Sequence, residues 1–387
     1  MKRDWWMCAA VVVLAVFGFL LQVRLAGTVP ALEGAMPLLA GMLAGAVAAV
    51  ACGGGRAGRF LEGNGKWIAF GVAVALMLAL LAFGRRYRGG LYLPGRINPS
   101  EIVKLCLVAF LAGWLGRRKF KVDKVDKVSK AGKVGKVDKV SKVNKVSKDV
   151  MDLKDLKDVK YLKVFKGLAL CGLLLLLVAG AGDFGLLAQL AITVAAMLWA
   201  ESWAWGSISA IVLAGGMAFA AAYPYGHLAT RFAVWRDPFG DVTGAGWQTL
   251  QGLTAILSGG MTGSGFGMGE VQSVPIVASD FVYAAVAEEL GLVGCAVVLA
   301  LWAFVFARGL RTASRRAADA PAEALLATGI VASLAVQLVL NVAGVLNALP
   351  MTGITLPLIS LGGSSQATTL LMCGVLVGIS CAPAQEE

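Results

Sequence analysis

Long apolar runs, each about the length of a bilayer crossing, alternate along this chain with short polar or glycine-rich breaks. A helix needs about 20 apolar residues to cross roughly 30 Å of hydrocarbon. Windows read on that basis predict ten spans, at 5–23, 35–53, 67–84, 100–116, 165–182, 184–203, 206–222, 281–307, 322–347 and 357–381. Gly180–Gly185 interrupts the run 165–203, which also reads as a broken pair. The pattern predicts an all-α polytopic membrane protein. Met1–Asp4 leads into the first window without an A-x-A-like cleavage site, so the first span is expected to be retained.

Two interruptions are too long to be turns. Residues 117–166 place lysine at every third position from Lys121 to Lys166, broken only by Met151. A three-residue period drifts around a 3.6-residue helix and builds no single apolar face. The segment is expected to be a solvated cytoplasmic tether against anionic lipid. The second interruption, 223–280, holds glycines at 259, 260, 263, 265, 267 and 269 and a short amphipathic stretch, Gly246–Leu257. A loop of this length commonly carries function. Lysine and arginine in the short loops place both termini in the cytoplasm and this loop outside, before the eighth span. Arg85, Arg86, Arg88 and Arg96 run against that bias and would face outward, where a basic cluster suits an anionic, phosphate-bearing substrate.

Composition narrows the class. Of 387 residues 58% are hydrophobic, and the mean hydropathy is +0.77. The insert 117–166 contributes +11 of the formal charge of +12, so the basic balance describes the insert and not the rest of the chain. Aromatic residues enter it only at Tyr161 and Phe165 beyond its first turn, which argues against nucleic acid as a partner. The seven cysteines form no C-x-x-C pair and read as packing thiols. A lone histidine, His227, excludes a multi-histidine metal centre and weighs against a Ser-His-Asp triad.

Charged residues inside the apolar runs are the chemical signal, because a carboxylate costs about 2.5–3.5 kcal/mol at a helix centre on insertion scales. Three signatures carry such charges, and a fourth is a break in the backbone. In LPGRINPSEIVKL, Leu93–Leu105, Glu101 and Lys104 share a helix face and can neutralise one another. AGDFG, Ala181–Gly185, puts Asp183 at the start of a span as a candidate cap. VPIVASDFVYAAVAEELGLVG, Val274–Gly294, carries Asp280 followed by Glu288 and Glu289, which are expected to orient helices or a cavity floor. NVAGVLNALPMTGITLPLISLGGSS, Asn341–Ser365, is a Pro/Gly-broken reversal, tolerated at membrane depth only inside protein or beside a wet cavity. By the residues alone, Asp280 reads as an N-cap or as a catalytic carboxylate, and the two are compatible.

Together the four motifs, in this order, resemble the SEDS family (shape, elongation, division and sporulation) of FtsW and RodA type. NPSE-x-x-K is similar to the family's QPSE-x-x-K, SDF-x-x-A-x-x-x-EELG to its TDF-x-x-A-x-x-x-EELG, and PMTG-x-x-LPLIS-x-GGSS to its own counterpart. The resemblance implies a bacterial inner-membrane glycosyltransferase that polymerises lipid II into glycan strands. It places the catalytic base on Asp280 and offers Arg231, Gln248, Ser360, Ser364 and Ser365 as substrate contacts. Glu101, Lys104, Asp183, Glu288 and Glu289 become structural intramembrane polar residues. A divalent cation, Mg or Mn, is the one cofactor it leaves room for, with no compact ligand motif encoding it. Implied partners are a class B penicillin-binding transpeptidase and other division or elongation membrane proteins. The chain departs at Ile276, where the family has glutamate, at Asn98 for glutamine, and at Ala278-Ser279 for His-Thr. TGITLPLISLGGSS leans toward the division branch. A lipid II flippase and a non-catalytic scaffold are the competing functions.

Overall fold

The computed structural model describes residues 4–26, 28–87, 90–93, 98–116, 166–202, 226–270, 274 and 277–381. The window 206–222 and the insert up to residue 165 lie outside them. Where no water reaches the backbone, its hydrogen bonds must close within the segment, so the apolar windows fold as helices. They are α1 (Trp5–Ala26), α2 (Thr28–Cys52), α3 (Arg56–Phe60), α4 (Lys66–Phe83) and α5 (Ser100–Leu115). After the insert come α6 (Lys166–Gly180) and α7 (Phe184–Ser202), then α8 (Gly226–Arg236) and α9 (Trp247–Gly259) in the second long connection. The chain closes with α10 (Val282–Arg316), α11 (Pro321–Val345) and α12 (Gly363–Ser380).

Six stretches among the described residues are long and apolar enough to cross a membrane: Trp5–Ala26, Ala35–Phe83, Phe184–Glu201, Val282–Arg316, Pro321–Val345 and Gly363–Ser380. The protein is therefore a helical, multi-pass membrane protein.

Four expectations need correction. The fold is not purely α-helical: Arg85–Tyr87 (β1) and Gly90–Tyr92 (β2) pair antiparallel, with Arg85 opposite Tyr92. The windows 35–53 and 67–84 are not joined by an open loop. Helical turns run from α2 to α4, interrupted at Gly54 and at Gly63, and the buried Lys66 Nζ donates to the Glu62 and Gly63 carbonyls there, each at 2.8 Å. The last window begins late, because 346–362 is irregular and α12 starts only at Gly363.

The window 281–307 is longer than expected and broken. At Gly291 the backbone takes φ 66° and ψ −168°, outside the helical region and reachable at little cost only by glycine. Every residue from Phe281 to Glu289 is buried, whereas Leu292, Val293 and Val297 are exposed on the outer surface of the bundle. The first piece of α10 therefore ends inside protein. The second, residues 292–316, is about 37 Å long at 1.5 Å per residue, enough to cross alone.

α11 is the central helix, touching α5, α7, α10 and α12, and 67% of its apolar window is buried. α2 and α12 pack backbone to backbone: a Cβ at Gly374 would lie 2.1 Å from the Gly45 carbonyl oxygen. Small residues at such crossings allow the close approach that dispersion needs when lipid supplies no hydrophobic drive.

Candidate active site

Asp280 closes a turn, 277–280, immediately before the buried first piece of α10. The positive end of that half-helix favours a carboxylate there. The backbone beneath the side chain is gripped at three consecutive carbonyls. The Ala278 carbonyl accepts from Leu361 N at 2.7 Å, the Ser279 carbonyl from the Ser360 hydroxyl, and the Asp280 carbonyl from Asn341 Nδ2 at 3.1 Å.

Two of the three grips come from the irregular reversal 346–362 and the third from α11, and the reversal's own carbonyls find side-chain partners in turn. Arg231 Nη1 donates to Thr352 O at 3.0 Å, Asn341 Nδ2 to Ile354 O at 2.7 Å and Gln337 Nε2 to Thr355 O at 3.0 Å. Gln22 Nε2 holds Ile359 O at 2.9 Å, and Gln366 Nε2 holds Ser360 O at 2.9 Å. Buried backbone groups are costly unless paired, and these side chains are what lets an irregular segment persist in the bundle.

Arg231, on α8, comes to the same place from the second long connection. A Cβ at Gly353 would lie 3.7 Å from Arg231 Nη2 and 3.9 Å from Asp280 Oδ2, so guanidinium and carboxylate border one spot. Behind it, Gly185 abuts the Thr352 carbonyl, where a Cβ would sit at 2.8 Å. Asp183 caps α7 by accepting from Leu186 N at 2.9 Å, and its carboxyl lies in the fields of Glu101, Lys104 and Arg231.

The pair Glu101–Lys104 forms as the spacing predicted, with Lys104 2% exposed. Lys104 also donates to Gln337 Oε1 at 2.9 Å, and Gln337 reaches Ser365 Oγ at 3.3 Å. A polar chain thus runs from α5 through α11 to the start of α12, passing through Gln337, one helical turn from Asn341. Electrostatically, the arrangement sets one carboxylate and one guanidinium at a shared spot beside a buried, internally neutralised pair.

Glu288 and Glu289 serve the glycine-rich connection. The break at Gly291 frees their carbonyls, which accept from Ser264 N at 2.9 Å and Gly265 N at 3.0 Å. Glu289 Oε2 accepts from Gly267 N at 3.1 Å, and Glu288 Oε1 from Glu270 N at 3.1 Å. Arg24 of α1 completes the latch, donating to Gly267 O at 2.8 Å and pairing with Glu289 at 3.5 Å.

The structure therefore brings Asp280 and Arg231 together and sets Glu101, Lys104 and Asp183 in the adjoining interior. Ser360 and Ser365, expected as substrate contacts, are 1% and 5% exposed, and both hydroxyls are spent on the protein. The freed backbone of the reversal takes them. Ser364 is half-buried in the first turn of α12. Gln248 is half-buried on α9, one turn from Gly252, which abuts the Phe281 ring beside Asp280. Sequence reasoning overlooked Asn341, Gln337, Gln22 and Arg24. The signal was present in Ser333, Gln337 and Asn341, polar residues four apart on one face of α11. Among the described residues, no three His, Cys, Asp or Glu side chains gather as a metal cage.

Comparison with known proteins places this geometry. A family model described as cell cycle protein, of FtsW/RodA/SpoVE type, matches residues 66–384. The RodA peptidoglycan glycosyltransferase of Mycobacterium bovis is 39% identical over 180 residues, 46% of this chain and 38% of that protein. This chain thus spans about two fifths of the length of such mycobacterial relatives. A probable FtsW of Alkalilimnicola ehrlichii is 31% identical over 345 residues, 86% of this chain and 75% of that protein. Among solved structures, a chain of a peptidoglycan synthase complex aligns with TM-score 0.71 at 22% identity, over 98% of each chain. RodA of Thermus thermophilus aligns with TM-score 0.63 at 22% identity, over 98% of this chain and 97% of that one. With the family model covering most of its length and the four motifs in order, this chain belongs to the FtsW/RodA/SpoVE family of cell cycle proteins.

Proposed function

We propose that this protein polymerises lipid II into peptidoglycan glycan strands at the outer face of the bacterial inner membrane. The observation that carries the reading is the meeting of Asp280 with Arg231 at Gly353, over a backbone clamped at three successive carbonyls. The relatives' names, peptidoglycan glycosyltransferase RodA and FtsW, support it.

In this reading the Asp280 carboxylate takes the proton from the acceptor sugar's 4-hydroxyl. The oxygen bonds to the donor's anomeric carbon as the bond from that carbon to the diphosphate oxygen breaks. The α-linked donor becomes a β-1,4 linkage and undecaprenyl diphosphate leaves with its electron pair. General-base assistance contributes about 10²–10⁴-fold when the carboxylate is within hydrogen-bond reach. Arg231, its Nη1 held by Thr352, presents the rest of its fork to developing phosphate charge. A divalent cation, Mg or Mn, would rest mainly on the substrate's diphosphate with one protein carboxylate, the usual manner of Mg.

We place ten spans across the membrane, both termini in the cytoplasm and the connection 223–280 outside. A class B penicillin-binding transpeptidase is the proposed partner, in division or in cell-shape maintenance, with other membrane proteins of those machineries. Purified protein, with and without such a partner, is given labelled lipid II. Glycan chains that vanish in Asp280→Ala support the reading. Chains persisting in that variant would sink it, and lipid translocation without polymer would favour a flippase.

A further inference from the structure

We infer that Asn341 is a positioning residue for Asp280: its side-chain amide, bound to the Asp280 carbonyl, sets where the carboxylate stands. This rests on the polymerase reading and names a residue that acts through the base without touching substrate. Asn341 lies on α11 and is 1% exposed. Its Nδ2 donates to the carbonyl of Asp280 at 3.1 Å and to that of Ile354 at 2.7 Å. Both neighbours are acceptors, so the amide nitrogen, not its oxygen, must face them. One carboxamide therefore ties the base to the turn 352–354.

That turn is the part Arg231 grips, through Thr352 O at 3.0 Å. Of the three grips on the Asp280 turn, the one from Asn341 is the direct tie between the Asp280 carbonyl and the segment that Arg231 holds. Helix formation does not supply the same hold, because the first intrahelical bond of α10, from Ala284 N at 2.9 Å, goes to the Phe281 carbonyl. Asn341 Oδ1 is buried without a hydrogen-bond partner, so the group is oriented by what its nitrogen holds. A carboxylate carried on a backbone that swings by about 1 Å loses on the order of 10²-fold in rate.

The test compares full-length wild type, Asn341→Leu, Asn341→Ala and Asp280→Ala, each monodisperse in detergent, in steady-state polymerisation of labelled lipid II. Leucine keeps the branched shape of asparagine at a larger volume and removes both donors; alanine removes them without bulk. The expected result is kcat lowered about 10–100-fold in both Asn341 variants, with KM within about twofold of wild type. Labelled lipid II should also bind Asp280→Ala and the double variant Asp280→Ala/Asn341→Leu equally well. A folded Asn341 variant with wild-type kcat overturns the inference, as does a rise in KM that accounts for the whole loss. If neither variant gives monodisperse protein, the amide belongs to folding and the inference fails. Full activity in Asp280→Ala would instead break the underlying reading, so the two failures are told apart.

Discussion

Lys104 offers the sharpest test of how the bundle tolerates charge. Its ammonium group is 2% exposed and is shared between the Glu101 carboxylate one turn away and Gln337 Oε1 at 2.9 Å. Lys104→Met keeps the length and removes the charge. Glu101, whose side chain is 17% exposed, is left without its cation among apolar helices, and Gln337 loses a donor. Breaking a buried pair from one side costs about 3–5 kcal/mol, since the remaining ion keeps its desolvation penalty. At roughly 2 °C per kcal/mol for a chain of this size, the variant should melt about 6–10 °C lower. Glu101→Gln/Lys104→Met, which removes both charges, should recover most of that loss. Thermal melting in detergent, followed by an intrinsic fluorescence or thiol-accessibility probe, reads both numbers. A single variant within about 2 °C of wild type, or a double variant as damaged as the single, would refute the reasoning.

Two further outcomes follow from close contacts elsewhere. Gly374→Ala places a methyl 2.1 Å from the Gly45 carbonyl oxygen, so α2 and α12 must separate; a loss of about 1–3 kcal/mol is expected as a lower melting temperature. Arg24→Ala strips the Gly267 and Gly269 carbonyls of their donor and leaves Glu289, 0% exposed, without its cation. Amide exchange across 260–270 should then accelerate about 10–100-fold, from the loss of charge-assisted bonds worth about 1.5–3 kcal/mol. Unchanged protection of that stretch would contradict the latch.

The comparison of pattern and structure turns on particular groups. Nine of the ten apolar windows coincide with helices among the described residues, because burying a backbone in lipid leaves it no other choice. Glu101–Lys104 was legible from its three-residue spacing alone, and Asp183 from its place before a span. Ser360 and Ser365 bond protein groups, and a hydroxyl beside a helix break looks the same in sequence whether it meets a ligand or a carbonyl.

By itself, the order of residues determined a helical membrane protein and its charged intramembrane positions, because each is a local property of hydropathy and spacing; Asp280 stood out among the carboxylates through the resemblance of its motif to the SEDS pattern. Only the tertiary structure decided that α10 breaks at Gly291, that Arg231 meets Asp280 across Gly353, and that Asn341 holds the Asp280 carbonyl from a helix sixty residues on. Those facts depend on which carbonyls are left unpaired once the helices have packed. That is a property of the assembled bundle, and no window of the chain contains it.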